Sequence, residues 1–203
     1  SWWRMEGNAD DEIGGNDGTS NGVQFIEDDE RGKVASFDGD GDYISVDDDN
    51  SLDISTEFSI LFWAKRNPFG YSALFDKGGY LWAWDLATAN QNGGIDFRSN
   101  GFTNTDHLAY GIFDENKWTF FIITFDAGIE GENLICLKNG DEKISITNSF
   151  DNGGLYINTN NLLIGRGNSE SPKFFNGTID EVMIFNKALT ADEVKAIYEL
   201  DLS

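Results

Sequence analysis

Short runs of apolar and β-branched residues recur along the whole chain, and Gly, Asn and Asp separate one run from the next. Strands at this spacing, joined by such turn residues, are typical of a two-sheet sandwich. The dipeptide Asn139-Gly140 separates two of these runs and predicts a β-hairpin. The predicted strands include residues 1–5, 23–26, 34–37, 43–46, 80–87, 94–98, 133–138, 141–146 and 162–165.

Two longer runs, residues 58–65 and 118–125, do not alternate between apolar and polar positions. In both runs, each of the two rows of side chains that a strand presents is hydrophobic. A strand of this kind either lies centrally in a sheet that is covered on both faces or has one face that forms an aromatic floor. We therefore expect each of these two runs to be a strand of one of these two kinds.

The last part of the chain predicts one short helix. Thr190 is a helix N-cap, and Glu193 stands three residues later, at the capping-box position. Val194, Ile197 and Tyr198 then form a single apolar stripe along the helix. One stripe is enough to dock a helix on a sheet but not to bury the helix on all sides.

Residues 178–185 predict a strand, preceded by a turn at Asn176-Gly177. Strict alternation along this strand places Asp180 on the same face as Val182 and Ile184, which should point into a core. A buried carboxylate needs a cation or several hydrogen-bond donors. Asp180 is therefore either a metal ligand or an acceptor of backbone N–H bonds at the end of the strand.

Two acidic segments near the start of the chain have different interpretations. Residues 6–22 are too rich in Gly, Asn and Asp for regular structure, and such a loop has enough oxygen atoms to surround a calcium ion. The segment Asp38-Gly39-Asp40-Gly41-Asp42 resembles the start of an EF-hand loop. Tyr43 stands where that loop needs glycine, however, so a hairpin turn is favoured.

Five segments carry a resemblance to the laminin-G-like, concanavalin-A-like jelly-roll domains of secreted and surface proteins. They occur in the order of the family pattern and span nearly the whole chain. The resemblance implies an all-β fold: a two-sheet antiparallel jelly-roll sandwich with a short C-terminal helix, as one domain over residues 1–203. The segments are WWRMEGNADDEIGGNDGTSNG, VASFDGDGDYISV, FSILFWAKR, KWTFFIITFD with LKNG, and GTIDEVMIFNKALTADEVKAIY.

The resemblance also implies a structural calcium ion between the opening loop and the aspartate of the closing strand. That aspartate corresponds to Asp180, and the acidic residue of the loop corresponds to Asp10. The loop departs from the family pattern at Glu12 and Ile13, where small residues are commoner. The predicted calcium ligands are Asp10, Gly14, Asn16 and Asp180.

Composition narrows the class of protein. The length of 203 residues fits one large all-β domain, and 39% hydrophobic residues are ample for a core. The net charge of −22 argues against nucleic acid and anionic lipid as partners. The net charge favours either a high-salt environment or bound divalent cations.

No apolar run is long enough to predict a transmembrane helix. The chain begins at Ser1, so we expect a processed piece of a larger multidomain protein.

Residues 69–102 are unusually rich in aromatic side chains and are followed by polar ones. Aromatic rings can cover the apolar face of a sugar while amides, carboxylates and guanidinium groups bind its hydroxyls. The same rings would also fill the core of a large sandwich. The residues predicted to contact a ligand are Tyr80, Trp82, Trp84, Asp96, Arg98, Asn100, His107 and Arg166.

The sequence carries no sign of a catalytic site. The related glucan-cleaving enzymes hold acidic residues at alternate positions of one strand, and no such E-x-D-x-E pattern occurs. Cys136 is the only cysteine and His107 the only histidine, and nothing brings them together; Cys136 is predicted to be buried. We expect a non-catalytic, extracellular or cell-surface domain that binds carbohydrate and is stabilised by calcium. The alternative is a protein-adhesion or spacer module of a larger surface protein.

Overall fold

The computed structural model describes residues 1–67, 72–78, 84–89, 94–99, 107–109, 116–130, 133–140, 142–144, 157–167 and 173–201. For residues 84–89, 94–99, 107–109, 142–144 and 201 it describes the backbone only. In chain order the strands are β1 (Trp2–Trp3), β2 (Gly18–Asn21), β3 (Gln24–Asp28), β4 (Gly32–Asp38), β5 (Tyr43–Val46), β6 (Glu57–Arg66), β7 (Ser72–Lys77), β8 (Trp84–Ala89), β9 (Gly94–Ser99), β10 (His107–Ala109), β11 (Thr119–Asp126), β12 (Leu134–Lys138), β13 (Glu142–Ile144), β14 (Leu162–Ile164) and β15 (Asn176–Phe185). A short 3₁₀ helix covers Asn50–Leu52, and helix α1 covers Ala191–Asp201.

The strands form two antiparallel sheets. The first sheet has the order β13-β12-β11-β6-β15-β4-β3, and β1 pairs with the far part of β15. The second sheet has the order β10-β9-β8-β7-β14-β5-β2. Consecutive strands often lie in different sheets, as in a jelly roll. The predicted all-β, two-sheet sandwich is therefore confirmed.

The main core lies between the two sheets. Phe62 of β6 stacks on Phe121 of β11 within the first sheet, with ring centroids 5.2 Å apart. It also meets Phe75 of β7 in the second sheet at 4.8 Å. These aromatic contacts join the sheets, and each side chain is almost completely buried. Burial of this kind is the largest favourable contribution to folding.

The first sheet also has a buried outer face, which helix α1 covers. Val194 of the helix is fully buried there, and Tyr198 stacks on both Trp63 and Phe120, at 5.8 and 5.5 Å. Of the two kinds of strand predicted for these runs, β6 and β11 are therefore the kind that lies in a sheet covered on both faces. In the part of the chain that the structure describes, no helix is long and apolar enough to cross a membrane.

The predicted start of α1 is also confirmed. The backbone N–H of Thr190 donates to Glu193 Oε2 at 2.8 Å, and the N–H of Glu193 donates to Thr190 Oγ1 at 3.3 Å. These reciprocal bonds are those of a capping box. The Asn139-Gly140 hairpin is also present, because both residues have positive φ angles and β12 pairs with β13.

Three local predictions are wrong. Part of the opening segment, Gly18–Asn21, forms β2, because it finds a partner along the edge of β5. The acidic turn at 38–42 is not a hairpin turn, since it carries the chain from β4 in the first sheet to β5 in the second. Asn176-Gly177 is not a turn but the start of β15, where Gly177 pairs with Phe37.

Candidate functional site

The two ends of the chain meet, as the sequence predicts. Trp2 and Trp3 pair with Met183 and Val182 of the closing strand. The amino group of Ser1 also donates a hydrogen bond to the carbonyl oxygen of Ile184 at 3.0 Å. The opening segment is therefore fixed beside β15, which is the arrangement that a site shared between loop and closing strand requires.

Asp180, however, lies on the opposite face of β15 from Val182 and Ile184, so the face predicted for it is wrong. The register of β15 against β6 shifts between Asp180 and Met183. Glu181 has a positive φ angle of 48° at this position. The shift is a β-bulge, in which one extra residue inverts the alternation of side chains. Val182 and Ile184 thus point into the core, and Asp180 points to the outer face.

On that outer face, Asp180 meets a cation that belongs to the protein. Arg31 Nε donates to Asp180 Oδ2 at 2.7 Å, and both side chains are nearly buried, with 9% and 3% of their surface exposed. The guanidinium of Arg31 lies 4.2 Å from the ring centroid of Trp63. A buried carboxylate needs such a partner, because unpaired burial of its charge is very costly.

The loop residues predicted as calcium ligands make other contacts. Asp10 is exposed and accepts a hydrogen bond from Asn8 Nδ2 at 2.7 Å. Asn16 is buried, and its Nδ2 donates to Ser1 Oγ at 2.8 Å and to Ser51 Oγ at 2.9 Å. These contacts organise the loop around the start of the chain.

The acid that organises the opening loop is Asp11. Its carboxylate accepts hydrogen bonds from the backbone N–H groups of Trp2 at 2.8 Å, Ile13 at 3.1 Å and Asn16 at 3.1 Å. Burial alone would raise the pKa of Asp11, but the hydrogen bonds from Trp2, Gly14, Ile13 and Asn16 outweigh it and lower the pKa to about 2. Backbone donors therefore hold this carboxylate ionised without a metal ion.

The four predicted ligands do not fit one calcium site well. The side chain of Asp180 faces the positive charge of Arg31, which would repel a calcium ion. The described contacts of Asp10 and Asn16 share no residue with those of Asp180. Within the ranges given above, no three acidic, histidine or cysteine side chains group as a metal site. Calcium binding stays a prediction.

Five of the eight predicted carbohydrate ligands are among the described residues, and they lie in and beside the second sheet. Tyr80, Trp82 and Asn100 are outside the described residues. Trp84 begins β8, and His107 begins β10 at the edge of the sheet. The remaining predicted ligands are Asp96 and Arg98, both in β9, and Arg166, which follows β14.

The strand register places two of these residues on the core face of the sheet. Leu86 of β8 pairs with Phe75, which is buried in the core, and with Phe97 of β9. Trp84 lies two positions from Leu86 and so shares its face. His107 pairs with Phe97 and lies on this face as well.

Asp96 and Arg98 lie on the outer face of the second sheet. A row of paired residues crosses the sheet there, from Leu163 to Asp76, then Asp85 and Arg98. Asp96 is two positions from Arg98 and shares its face. The predicted ligands therefore separate into two groups, and a molecule on one face of the sheet would not contact both. Within the outer row, Arg98 is in direct register with Asp85, which is not one of the predicted ligands.

Arg166 lies at the same outer face. Its guanidinium is 4.8 Å from the ring centroid of Tyr43 and 5.8 Å from that of Phe174. Tyr43 shares the face of Ser45, which pairs with Leu163 in the outer row. Arg166 Nε is buried without a hydrogen-bond partner, and no described carboxylate pairs with this side chain. The two rings thus hold a positive charge whose Nε–H group has no hydrogen-bond partner among the described residues.

The glycines around Arg166 explain its position. Gly165 follows β14 with a φ of +85°, a conformation that other residues rarely adopt. A Cβ atom at Gly165 would lie 2.5 Å from the ring of Phe37, and one at Gly167 would lie 3.2 Å from Cβ of Ala73. Small residues on both sides therefore let this segment lie close against the sheet.

The sequence identified residues of the candidate sites, but it did not identify the partners that these residues contact. Arg31 is 149 positions from Asp180, and no local pattern connects them. Asp11 did have a local signal, because acidic residues before Gly and Asn commonly accept backbone bonds in turns.

Cys136 is buried as predicted, and burial raises the pKa of its thiol to about 12. It is therefore not a reactive nucleophile at neutral pH.

Solved structures with this fold include several binding domains. Domain 4 of the GH43 extracellular arabinanase AbnA from Geobacillus stearothermophilus, in complex with arabinotriose, has a TM-score of 0.68 and 20% identity; the match covers 98% of this chain and 97% of that one. The binding domain of Paraclostridial Mosquitocidal Protein 1 has a TM-score of 0.69 and 16% identity, over 91% of this chain and 47% of that one. The binding domain of botulinum neurotoxin DC with rat synaptotagmin II has a TM-score of 0.65 and 16% identity, over 92% and 48%.

This chain thus spans about half the length of the toxin binding domains and nearly all of the arabinanase domain. At these identities, the likeness shows the fold alone. No curated protein sequence matches the chain. A family model, described as the concanavalin A-like lectin/glucanases superfamily, matches residues 38–195, which is more than half of the chain. The match confirms the resemblance found in the sequence, and the chain belongs to this laminin-G-like family of concanavalin A-like domains.

Proposed function

We propose that this domain binds carbohydrate on the outer face of its second sheet and does not catalyse a reaction there. The observation that carries the proposal is the position of Arg166 between the rings of Tyr43 and Phe174. A guanidinium group offers five N–H donors in a plane, and sugar hydroxyls are suitable acceptors. Among the described residues, Arg166 Nε has no hydrogen-bond partner.

The rest of the outer face suits the same kind of ligand. Asp85 and Arg98 are paired across β8 and β9, and Asp96 shares their face. Binding sites for sugars combine a few polar groups, which fix orientation, with aromatic surface. Tyr43 and Phe174 supply aromatic surface beside this polar row. The arabinanase domain with the same fold is described in complex with arabinotriose, which supports an oligosaccharide as the first ligand to test.

The proposal of a non-catalytic, extracellular domain has separate support. Glycosidases of the retaining type need two carboxyl groups about 5–5.5 Å apart. The sequence lacks the alternating acidic motif that holds such a pair on one strand. The similar structures include domains named for binding, and the arabinanase is named as extracellular. Release of reducing sugars from polysaccharides by the purified protein would contradict the non-catalytic part.

A protein-adhesion function is the second candidate. The observation that favours it is the neurotoxin DC binding domain, which has the same fold and is described in complex with rat synaptotagmin II. Adhesion through loops would not need the outer face of the second sheet. A glycan array without binding, together with a protein partner that binds Arg166→Met and the original chain equally well, would favour this function.

Isothermal titration calorimetry with arabinotriose and a panel of other oligosaccharides tests the carbohydrate proposal. Arg166→Met keeps the length of the side chain but removes its charge and donors, and should weaken binding at least tenfold. Lys195→Met is the matched control, since it removes one exposed positive charge from α1 on the other sheet. Equal affinity of Arg166→Met and the original chain would rule out this face.

Calcium binding is a separate proposal, and it rests on the family resemblance. A ligand that binds only the folded state raises the melting temperature by mass action. Melting curves with calcium and with EDTA therefore test it, and Asp10→Asn and Asp180→Asn show which residue contributes. Identical melting temperatures at millimolar calcium would contradict it. A calcium effect that persists in Asp180→Asn would place the ion in the loop alone.

A further inference from the structure

The antiparallel ladder between β1 and the closing strand β15 reaches as far as Ser1. The amino group of Ser1 donates to the carbonyl oxygen of Ile184, and the N–H of Ile184 donates to the carbonyl oxygen of Ser1, both at 3.0 Å. Two such bonds make these residues a hydrogen-bonded pair of the ladder. Since hydrogen-bonded pairs alternate with other pairs along an antiparallel ladder, the next one on this strand falls at Asn186.

The backbone of Asn186 offers one more position in this ladder. Asn186 is exposed and follows Phe185, the last residue of β15. Alternation along the strand places its N–H and C=O groups on the same side as those of Ile184, which is the side of β1. In the described part of the chain, neither group has a backbone hydrogen-bond partner. Unpaired groups of this kind are a template for a further strand residue.

A groove lies beside this open end of the ladder. It has a volume of about 600 Å³ and is lined by residues of β1, β15 and α1. Ile13 and Leu200 stand on its rim, and each has 74% of its surface exposed. An exposed apolar rim around a concave surface is typical of a place where another segment or molecule packs.

The charged groups of the groove already have partners. The carboxylate of Glu181 accepts a hydrogen bond from Trp2 Nε1 and lies 3.5 Å from Arg4 Nε. The amino group of Ser1 takes part in the ladder. The surface that remains for an occupant is therefore mainly apolar, and no charge in the groove calls for a charged ligand. Its apolar lining residues are Trp2, Ile13, Met183, Ile184, Phe185, Ile197 and Leu200.

The alternation of side chains shows what a continued strand places in the groove. Trp2 lies opposite Met183, which packs in the apolar cluster beneath α1. A residue directly before Ser1 is two positions from Trp2 and therefore on the same face of the strand. Such a residue lies opposite Phe185, which belongs to the same cluster. Its side chain thus enters the groove between the ladder and the helix.

We propose that the groove binds an extended segment of the same polypeptide, supplied by the residues that precede Ser1 in the longer protein. The segment continues β1, bonds to the N–H and C=O groups of Asn186, and places an apolar side chain against Phe185. Strand addition of this kind gains affinity from main-chain bonds and selectivity from the adjacent pocket. A segment joined to β1 is held at high effective concentration, which favours it over a separate peptide. The site is independent of the carbohydrate face.

Hydrogen exchange and methionine NMR test the proposal. Three versions of the chain are compared: one starts at Ser1, one carries Thr-Ala-Leu before it, and one carries Thr-Ala-Asp. The leucine extension should slow exchange of the Asn186 N–H by about tenfold or more, because a bonded amide exchanges only when its bond opens. It should also shift the methyl signal of Met183, which lines the groove, and leave that of the buried Met5 unchanged. The aspartate extension should do less, since burying an unpaired carboxylate is unfavourable.

Two substitutions locate the segment. Asn186→Pro removes the N–H to which the segment bonds, so the leucine and aspartate extensions should then give nearly the same Met183 signal. Leu200→Ser removes one apolar wall and should reduce the shift caused by leucine by about half. Ile157→Ser is the matched control, because Ile157 is also an exposed apolar residue, 57% exposed, and does not line the groove. It should leave the shift unchanged.

The longer natural protein provides the final test. The residue directly before Ser1 should be apolar, and the Asn186 N–H should exchange as slowly as in the leucine-extended chain. A charged residue or proline at that position, or fast exchange at Asn186, would overturn the proposal.

Three results with the extended chains would also overturn it. Equal exchange in all three versions would show that the ladder ends at Ser1. Equal effects of leucine and aspartate would show that the groove does not select an apolar side chain. If the chain that starts at Ser1 protects the Asn186 N–H increasingly as the protein concentration rises, the occupant is a second copy and not a preceding segment.

Discussion

Arg31 and Arg166 both lie over aromatic rings, but on different sheets and with different partners. Arg31 is 4.2 Å from the centroid of Trp63 and bonds to the buried carboxylate of Asp180 at 2.7 Å. Arg166 is 4.8 Å from the centroid of Tyr43, and no described carboxylate pairs with it. Ring stacking alone therefore does not show what an arginine does. The carboxylate partner distinguishes Arg31, which stabilises the fold, from Arg166, which we propose contacts a ligand.

The two outer faces differ in the same way. On the first sheet, α1 and its apolar stripe cover the face, and Arg31 neutralises the acid that the bulge turns outward. On the second sheet, the outer row holds Asp85 and Arg98 in register, and Arg166 lies beside it. We call the first sheet the structural side of the molecule, and we call the second sheet, where we propose that carbohydrate binds, the carbohydrate side.

The largest expected change in the free energy of unfolding comes from replacing Arg31 on the structural side. Arg31→Met leaves Asp180 as a buried carboxylate without its guanidinium, and losing one partner of a buried ion pair costs about 3–5 kcal/mol. Urea denaturation should show this loss of the free energy of unfolding. The double variant Arg31→Met/Asp180→Asn should recover part of it, because it also removes the buried carboxylate charge. A loss below about 1 kcal/mol in Arg31→Met would mean that the pair is not structural.

Asp11 should produce the next largest effect, and one that depends on pH. Its pKa is lowered from 3.8 to about 2 in the folded protein, so its ionised form stabilises the fold at pH values above the unfolded pKa. This stabilisation is lost as the pH falls from about 4 towards 2. The shift corresponds to about 2 kcal/mol, so Asp11→Asn should be less stable than the original chain at pH 7 by that order.

The measurement for Asp11 is urea denaturation at several pH values. The difference in the free energy of unfolding between Asp11→Asn and the original chain should shrink below pH ~4. Asp10→Asn is the control, because Asp10 is exposed and accepts a bond only from the side chain of its neighbour Asn8 among the contacts described. A difference that stays constant down to pH ~2 would show that the carboxylate charge of Asp11 does not stabilise the loop.

Arg166→Met should separate stability from binding. The free energy of unfolding should change by less than about 1 kcal/mol, since no described carboxylate is left unpaired. The affinity for the bound oligosaccharide should fall at least tenfold, which equals about 1.4 kcal/mol. Arg166→Lys keeps the charge but loses the planar donors and should restore little of the affinity. If Arg166→Met lowers the free energy of unfolding strongly but binds the oligosaccharide as tightly as the original chain does, Arg166 is a structural residue and our assignment of the two sides is wrong.

How far the sequence predicted the fold depends on how local each signal is. The central strands β6 and β11 were predictable because both rows of their side chains are apolar, and the structure buries both. Strands β7 and β10 were not predicted. Strand β10 pairs with the neighbouring strand β9, but the position of β7 depends in part on a distant segment, because Asp76 pairs with Leu163. Pairing of this kind leaves no periodic signal in the strand itself.

The same difference between local and long-range signals explains which features of the candidate sites the sequence predicted. The sequence indicated that Asp180 is buried and needs a cation or several hydrogen-bond donors; its burial is confirmed, but its partner Arg31 is neither the metal ion nor the backbone N–H groups that the sequence predicted. Its face was predicted wrongly, because one bulge residue, Glu181, inverts the alternation and nothing in the sequence marks it. The separation of Trp84 from Arg98 has a similar cause: only the register of β8 against β9 reveals it.

The smallest expected effect concerns the capping box, which the sequence predicted from local spacing alone. The N–H of Glu193 donates to Thr190 Oγ1, and Thr190→Ala removes this acceptor at the start of α1. Losing an N-cap costs about 1 kcal/mol. Thr190→Ser keeps the hydroxyl and should be nearly neutral. Since α1 covers the first sheet, Thr190→Ala should lower the free energy of unfolding in urea without changing oligosaccharide affinity. A loss of affinity in this variant would show that the two sides of the molecule are coupled, because the described apolar contacts of the helix are with the first sheet.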